Sequence, residues 1–386
     1  MSVVSDVIPL RGEAESAAGE VADEGGVAAG PRWTLVGCSR RAVLGWGLAC
    51  AAAPAMAPAW AQTPPPVLPL ADMHSHMGLF GPTKSATFRP DRFMAEGHVK
   101  LVAWKWVPDY ELIRRGPDGR LLPPAAAPDA DRMWAGSEAG LRQMADSAKE
   151  AGVALVRQVA DLDAARAGQT SVVLGSEGCD FVDPELRRLD AVYALGVRHL
   201  QLVHYTPNPL ADVQSRPVQH GGLTALGRAV ITKCNELGIL VDLAHLTPEA
   251  AIAAAEHSRR PVVWSHSAVR FGRNMGWRGD RLLPVDAARA ITARGGVVGL
   301  WGFHETAGHS IRGYARLVMD TVELLGEDHV AFGTDMSGLR NWTILNHYGD
   351  LGRAVQELIS AGVPEPTLRK IAFDNYARVL RSALTA

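Results

Sequence analysis

From residue 68 onward, short apolar runs alternate with longer segments of helical period, and this alternation restricts the possible fold more than any other feature. The runs are "LPLADMHSH", "VKLVAWKWV", "SVVLGSEG", "VRHLQLVHY", "ILVDLAH", "PVVWSHS", "VVGLWGF" and "HVAFGTD". Between them lie helical segments such as "PELRRLDAVYALG", "LTALGRAVITKCNELG", "PVDAARAITARGG" and "YARLVMDTVELLGED", several of them stopped by glycine. Strand followed by helix followed by strand builds a parallel sheet, because a parallel partner is reached only by a crossover. Eight such units predict an α/β fold of the (β/α)8 TIM-barrel type, with its active site at the C-terminal ends of the strands. The segment "GPDGRLLPPAAAPDADR", residues 116 to 132, reads as a loop.

The polar residues of these apolar runs gather at the strand ends. His74 and His76 close the first run, Glu177 the third, His204 the fourth, His245 the fifth, His266 the sixth and Asp335 the eighth. Side chains alternate along a strand, so Asp72, His74 and His76 are expected on one face. Each residue alone has an ordinary explanation: a hydrogen-bonded histidine, a helix-capping glutamate, an Asx turn in "GTDMSG". Their recurrence at one rim points instead to a shared metal centre. His98, His199, His220, His257, His304, His309, His329 and His347 fall at strand starts, on helices or in loops and receive no role.

Imidazole and carboxylate without thiolate suit zinc or another borderline divalent ion. Four histidines and a glutamate exceed the three protein ligands of one open catalytic zinc, so two divalent metal ions bridged by a carboxylate and a water are expected. Such a centre implies hydrolysis. Asp335 is the expected acid/base, and His204 the expected donor to the developing oxyanion.

The chain has 386 residues, 47% hydrophobic and 21% charged, with a formal net charge of -2, and no basic stripe that would suit nucleic acid. A small-molecule substrate is the expected partner. The first 61 residues differ from the rest. Arg40-Arg41 precedes an alanine-rich apolar segment that ends in "AWA", which reads as a twin-arginine export signal cleaved after Ala61. That leaves a barrel over residues 62 to 386, in the periplasm and with no stable membrane span. An uncleaved anchor is the alternative, and Pro54 and Pro58 interrupt its apolar run. Cys38 and Cys50 fall in the signal, and Cys179 and Cys234 are expected unpaired.

The motifs "DMHSH", "GSEG", "LGVRHLQLVHYTPNPLAD", "GGLTALGRAVITKCNELGILVDLAHL", "PVVWSHSAVR", "RNMGWRGD" and "FGTDMSG" occur in an order and spacing that resembles the membrane (renal) dipeptidases. These are zinc peptidases of (β/α)8 fold. The resemblance implies a dipeptide-cleaving metallohydrolase, often dimeric. It implies His74 and His76 as ligands of one metal, His245 and His266 of the other, and Glu177 as the bridge. It further implies His204 on the substrate carbonyl, Asp335 as the catalytic acid/base, and Arg273 as the grip on the substrate carboxylate.

Three positions depart from the family pattern. His76 stands where His-x-Asp is usual, Cys179 follows Gly178 where Gly-Gly is usual, and Ser337 stands where "DFDG" supplies a second acid. These changes bear on substrate choice. An amidohydrolase-type enzyme acting on an N-acyl amino acid, a lactone or a cyclic amide therefore stays open beside the dipeptidase, as does a non-catalytic metal-binding paralogue.

Overall fold

The computed structural model describes residues 68–80, 88–116, 121–272 and 276–385. The twin-arginine segment, Cys38, Cys50 and the Arg273-Asn274 pair lie outside the described residues. All eight predicted runs form strands: β1 (Leu70–Ser75), β2 (Val99–Trp106), β3 (Ser171–Glu177), β4 (Val197–Gln201), β5 (Leu240–Asp242), β6 (Val263–Ser267), β7 (Val297–Leu300) and β8 (Val330–Phe332). Each pairs in parallel with the next. At the C-terminal rim the ring is drawn together by Asp335 N donating to His74 O at 3.0 Å and His76 N donating to Met336 O at 2.8 Å. The fold is a (β/α)8 barrel.

Two small features fall outside the sequence expectation. Ala154–Leu155 adds a short parallel strand beside β3, and Arg114–Arg115 pairs antiparallel with Leu121–Leu122. The segment expected as a loop through residue 132 already enters the helix Ala130–Glu150, because Asp129 Oδ1 accepts from Arg132 N at 2.8 Å and caps it. Other crossover helices start in the same way. Thr224 and Ser310 each accept a first-turn amide at 3.0 Å. Gly196 (φ 108) and Gly238 (φ 78) end helices in the left-handed conformation, as the sequence predicts.

The strands are buried on both faces. Outward residues such as Val102, Val172 and Val298 pack on the helices. Inward ones, including Ala71, Leu101, Val173, Leu240, Val263 and Val297, meet one another and the terminal helix Asn375–Leu384, which closes the bottom of the barrel through Tyr376, Val379 and Leu380. Cys179 and Cys234 are buried and free. Among the described residues no helix is long and apolar enough to cross a membrane.

Asp72 does not share a face with His74. The β1 register shifts between Asp72 and Ser75, and the Asp72 carboxylate turns toward the helix layer. There it accepts from Thr334 Oγ1 at 2.6 Å and from the Tyr348 hydroxyl at 2.9 Å. The irregularity is what lets His74 and His76 both turn inward.

Above the apolar floor lies an ionic layer. Lys105 Nζ donates to Asp242 Oδ2 at 3.2 Å, and both side chains are fully buried. Asp242 Oδ1 accepts from Ala244 N at 3.1 Å and Ser265 N at 3.0 Å, and His199 Nε2 lies 3.4 Å from Oδ2. Burial pushes the Asp242 carboxyl up, but Lys105 and His199 hold it far below the usual range. Gly175 makes the room, since a Cβ there would come within 2.7 Å of Lys105 Cδ. Removing the anion from such a pair leaves an uncompensated buried charge. Asp242→Ala is therefore expected to lower unfolding free energy by about 3–5 kcal/mol, read as a drop in denaturation midpoint, whereas an exposed ion pair such as Arg142–Glu138 should contribute under about 1 kcal/mol.

Candidate metal centre and active site

The residues expected at the rim converge there. Glu177 ends β3 with both carboxylate oxygens aimed across the barrel mouth. Its Oε2 lies 3.0 Å from His76 Nε2, and its Oε1 lies 3.1 Å from His245 Nε2, 3.4 Å from His266 Nε2 and 3.5 Å from His74 Nε2. Two donor groups share this carboxylate: His74, His76 and Glu177 on one side, and Glu177, His245 and His266 on the other. All five side chains are buried.

The nitrogens not aimed at Glu177 explain why the others can bind metal. His76 Nδ1 lies 2.9 Å from the Lys105 carbonyl, which only accepts, so this nitrogen carries the proton and Nε2 keeps its lone pair. His74 Nδ1 and His266 Nδ1 lie 2.9 and 3.0 Å from one oxygen, Ser265 Oγ, whose two lone pairs can receive both protons. Burial drives the His74 imidazole down to about 3 and those of His245 and His266 well below their ordinary value, which keeps them neutral. Neutral imidazole lone pairs surrounding a buried carboxylate are the chemistry of a divalent-metal site, and this donor set fits two such ions.

His204 and Asp335 flank the cluster. His204 Nε2 lies 3.5 Å from Glu177 Oε2, and its Nδ1 donates to Asp109 Oδ1 at 2.6 Å. Asp109 also accepts the amides of Tyr205 and Thr206, at 3.2 and 3.0 Å. Burial disfavours the His204 cation, yet Asp109 and Glu177 outweigh it and raise this imidazole to about 9. Asp335 Oδ1 lies 3.5 Å from His76 Nε2. Burial and the nearby Glu177 charge push the Asp335 carboxyl up to about 7, against the pull of His76. Its backbone is left-handed (φ 53), as is that of His245 (φ 72). Gly338 has to be small, because a Cβ there would overlap the Asp335 carboxylate.

A cavity of about 500 Å³ opens over these groups. Phe80 and Tyr110, stacked with centroids 4.5 Å apart, form one apolar wall, and Trp301, Phe303 and Trp342 form another. A second cavity, of about 410 Å³, lies against the helix Ala130–Glu150 and contains none of the site residues.

Two functional residues escaped the sequence reading. Asp109 sits just past β2, at the same rim as the histidines, and the strand-end rule that selected the others could have found it. Arg281 gives no such signal: it ends a short 3-10 helix, Gly276–Arg281, well beyond β6. The fold carries it back over the candidate metal centre, where Nη2 lies 2.7 Å from His245 Nε2 and Nη1 donates to Gln214 Oε1 at 2.6 Å. Its guanidinium lies 5.5 Å from the Trp301 ring centroid and 5.8 Å from that of Tyr205.

Comparison with known proteins agrees with this arrangement. The family model described as membrane dipeptidase, peptidase family M19, matches residues 95–386, a stretch that begins after His74 and His76. A dipeptidase, aclJ of Aspergillus oryzae (strain ATCC 42149 / RIB 40), is 29% identical over 228 residues, covering 55% of this chain and 51% of that protein. An uncharacterized dipeptidase of Schizosaccharomyces pombe (strain 972 / ATCC 24843), C965.12, is 29% identical over 181 residues, covering 45% and 42%. The chain thus spans about half the length of these curated relatives. Among solved structures, a dipeptidase AC of family M19 superposes with a TM-score of 0.69 at 20% identity, over 83% of this chain and 100% of that one. A Rhodobacter sphaeroides metallopeptidase, liganded with a phosphinate mimic of the dipeptide L-Ala-D-Ala, gives 0.66 at 21% identity over 82% and 99%. With the family pattern covering most of the chain, and with the barrel and the clustered histidines in place, the protein belongs to the membrane dipeptidase family, peptidase family M19.

Proposed function

We propose that the chain is a two-zinc, dipeptidase-like hydrolase that cleaves a small amide bearing a carboxylate. The observation that carries this reading is the convergence of four imidazole Nε2 atoms and both oxygens of Glu177 beneath a cavity that also holds Arg281 and Asp335. His74, His76 and Glu177 would hold one ion, and Glu177, His245 and His266 the other. When bound, the ions lower the pKa of a shared water and polarise the scissile carbonyl.

The chain's own groups supply the rest. Asp335 takes the proton of the attacking water and passes it to the leaving amine, a role that suits a carboxyl raised toward neutrality. His204 donates from Nε2 to the developing oxyanion, while Asp109 holds Nδ1 and stabilises the imidazolium. Arg281 is a further candidate for the substrate carboxylate beside Arg273, which lies outside the described residues, since a planar guanidinium between two aromatic rings can present two parallel N–H donors. The aromatic walls exclude water around the reacting bond.

A second reading, hydrolysis of an N-acylated amino acid, is favoured by one observation. At the metal end of the cavity the described carboxylates, Glu177 and Asp335, are both within 3.5 Å of His76 Nε2, which leaves neither free for a substrate ammonium. Residence in the periplasm and a homodimeric state belong to the proposal as well. The signal-like Arg40-Arg41 segment supports the first, and the family resemblance supports the second.

Elemental analysis should find two ions per chain, matching the two donor groups. Chelation should abolish hydrolysis, and added Zn2+ should restore it, on a panel of free and N-acetylated dipeptides. Metal-free protein that keeps full activity would sink the proposal, and the preferred half of the panel decides between the two readings. Asp335→Asn is expected to lower kcat by about 10²–10⁴-fold with both metals retained; unchanged turnover removes Asp335 from the mechanism. Gly338→Ala should displace the Asp335 carboxylate and cost about a hundredfold in kcat, with the metal content and circular dichroism of the parent protein.

A further inference from the structure

The cavity wall is more cationic than the capture of one carboxylate requires. Arg281 is 8% exposed and lies at the metal end. Arg114 and Arg340 line the same cavity and are exposed, which places them at its mouth. Three acids face these arginines. Glu177 is committed to the imidazoles and Asp335 to His76, so Glu111, also exposed, is the acid left at the mouth. Among the described residues neither mouth arginine has an ion-pair partner. Arg114 Nη1 donates to the Glu111 backbone oxygen at 3.2 Å and not to its carboxylate.

Arg340 is also held in an unusual backbone state. Asp335 (φ 53), Ser337 (φ 69) and Arg340 (φ 53) are all left-handed, three non-glycine residues in a stretch of six. L side chains disfavour that region, and such conformations persist where the surrounding structure imposes them, commonly at working sites. One strained segment therefore presents both Asp335 at the metal end and Arg340 at the mouth. An unpaired guanidinium among aromatic walls focuses positive potential on the entrance and can hold a carboxylate by two hydrogen bonds.

We propose that the enzyme selects dianionic amides: one carboxylate is held by Arg281, and a second, on a substrate side chain, is met at the mouth by Arg340, with Arg114 adding to the field. This inference rests on the amide-hydrolase reading above and specifies its substrate class.

The test compares isosteric pairs that differ only in charge, alanylglutamate with alanylglutamine and glutamylalanine with glutaminylalanine, each in all stereoisomers and both free and N-acetylated, on the metal-loaded full chain. In at least one pair the acid should show a KM about tenfold lower than the amide, and the gap should shrink as salt is raised because the mouth is exposed. Arg340→Glu should reverse that preference toward the amide. Equal KM values within both pairs overturn the inference and leave the hydrolase reading standing. An acid preference that Arg340→Glu leaves intact overturns the assignment to Arg340. If no member is cleaved while two metals are bound, the hydrolase reading falls and the inference falls with it.

Discussion

A carboxylate buried at the mouth of a barrel is unstable unless cations or hydrogen bonds compensate it, and the upper half of this structure is organised around that requirement at Glu177. Only 3% of the residue is exposed. Five imidazole nitrogens, from His74, His76, His204, His245 and His266, lie within 3.5 Å of its oxygens, and Lys105 sits in the layer below. Burial keeps the imidazoles of His74, His245 and His266 neutral, whereas those of His76 and His204 are raised, against burial, by the carboxylates beside them. The metal centre thus joins the ends of β1, β3, β5 and β6 by one carboxylate, and loss of that group would release four strands' worth of polar atoms at once.

The site and the closure of the barrel share residues. The backbone of Asp335 donates to His74 O, and that of His76 donates to Met336 O, so the bonds that bring β8 to β1 also fix the Asp335 carboxylate beside two candidate metal ligands. His245 and Asp335 adopt left-handed backbone, and Gly338 leaves room for the Asp335 carboxylate. Strain of this kind is tolerated because the barrel beneath is rigid, tied by the Lys105–Asp242 pair and by a tightly packed apolar floor.

Against the pattern of the resemblance, His76 stands in place of an aspartate while still offering a candidate metal donor, and Ser337 stands in place of another acid nearby. Three arginines line the cavity, and the acids at its metal end are occupied by the histidine cluster. Both changes shift the pocket's charge in the same direction, toward anionic ligands and away from a free ammonium. Family membership and the barrel go together, whereas these local charges bear on which ligand enters.

The eight strands were legible because each is a short apolar run bounded by turn or helix signals, and burial on both faces makes such runs stand out. His74, His76, Glu177, His204, His245, His266 and Asp335 were legible for the same reason: a polar residue at the end of an apolar run has few reasons to be there. Asp72 was misplaced because a register shift breaks strict alternation, and a bulge leaves no mark in residue type. The contact of Lys105 and His199 with Asp242 leaves no mark in the sequence, since the ion pair across the barrel joins positions 137 apart. Arg281 carries no mark in the sequence, and only the fold brings it back over His245. The local pattern of apolar and polar residues, by itself, determined the secondary structure, the barrel and which polar side chains gather at its rim, because each of these depends on what a strand must bury. Only the tertiary structure decided which charges face one another, because electrostatic partners are chosen by distance in space and the sequence records only distance along the chain.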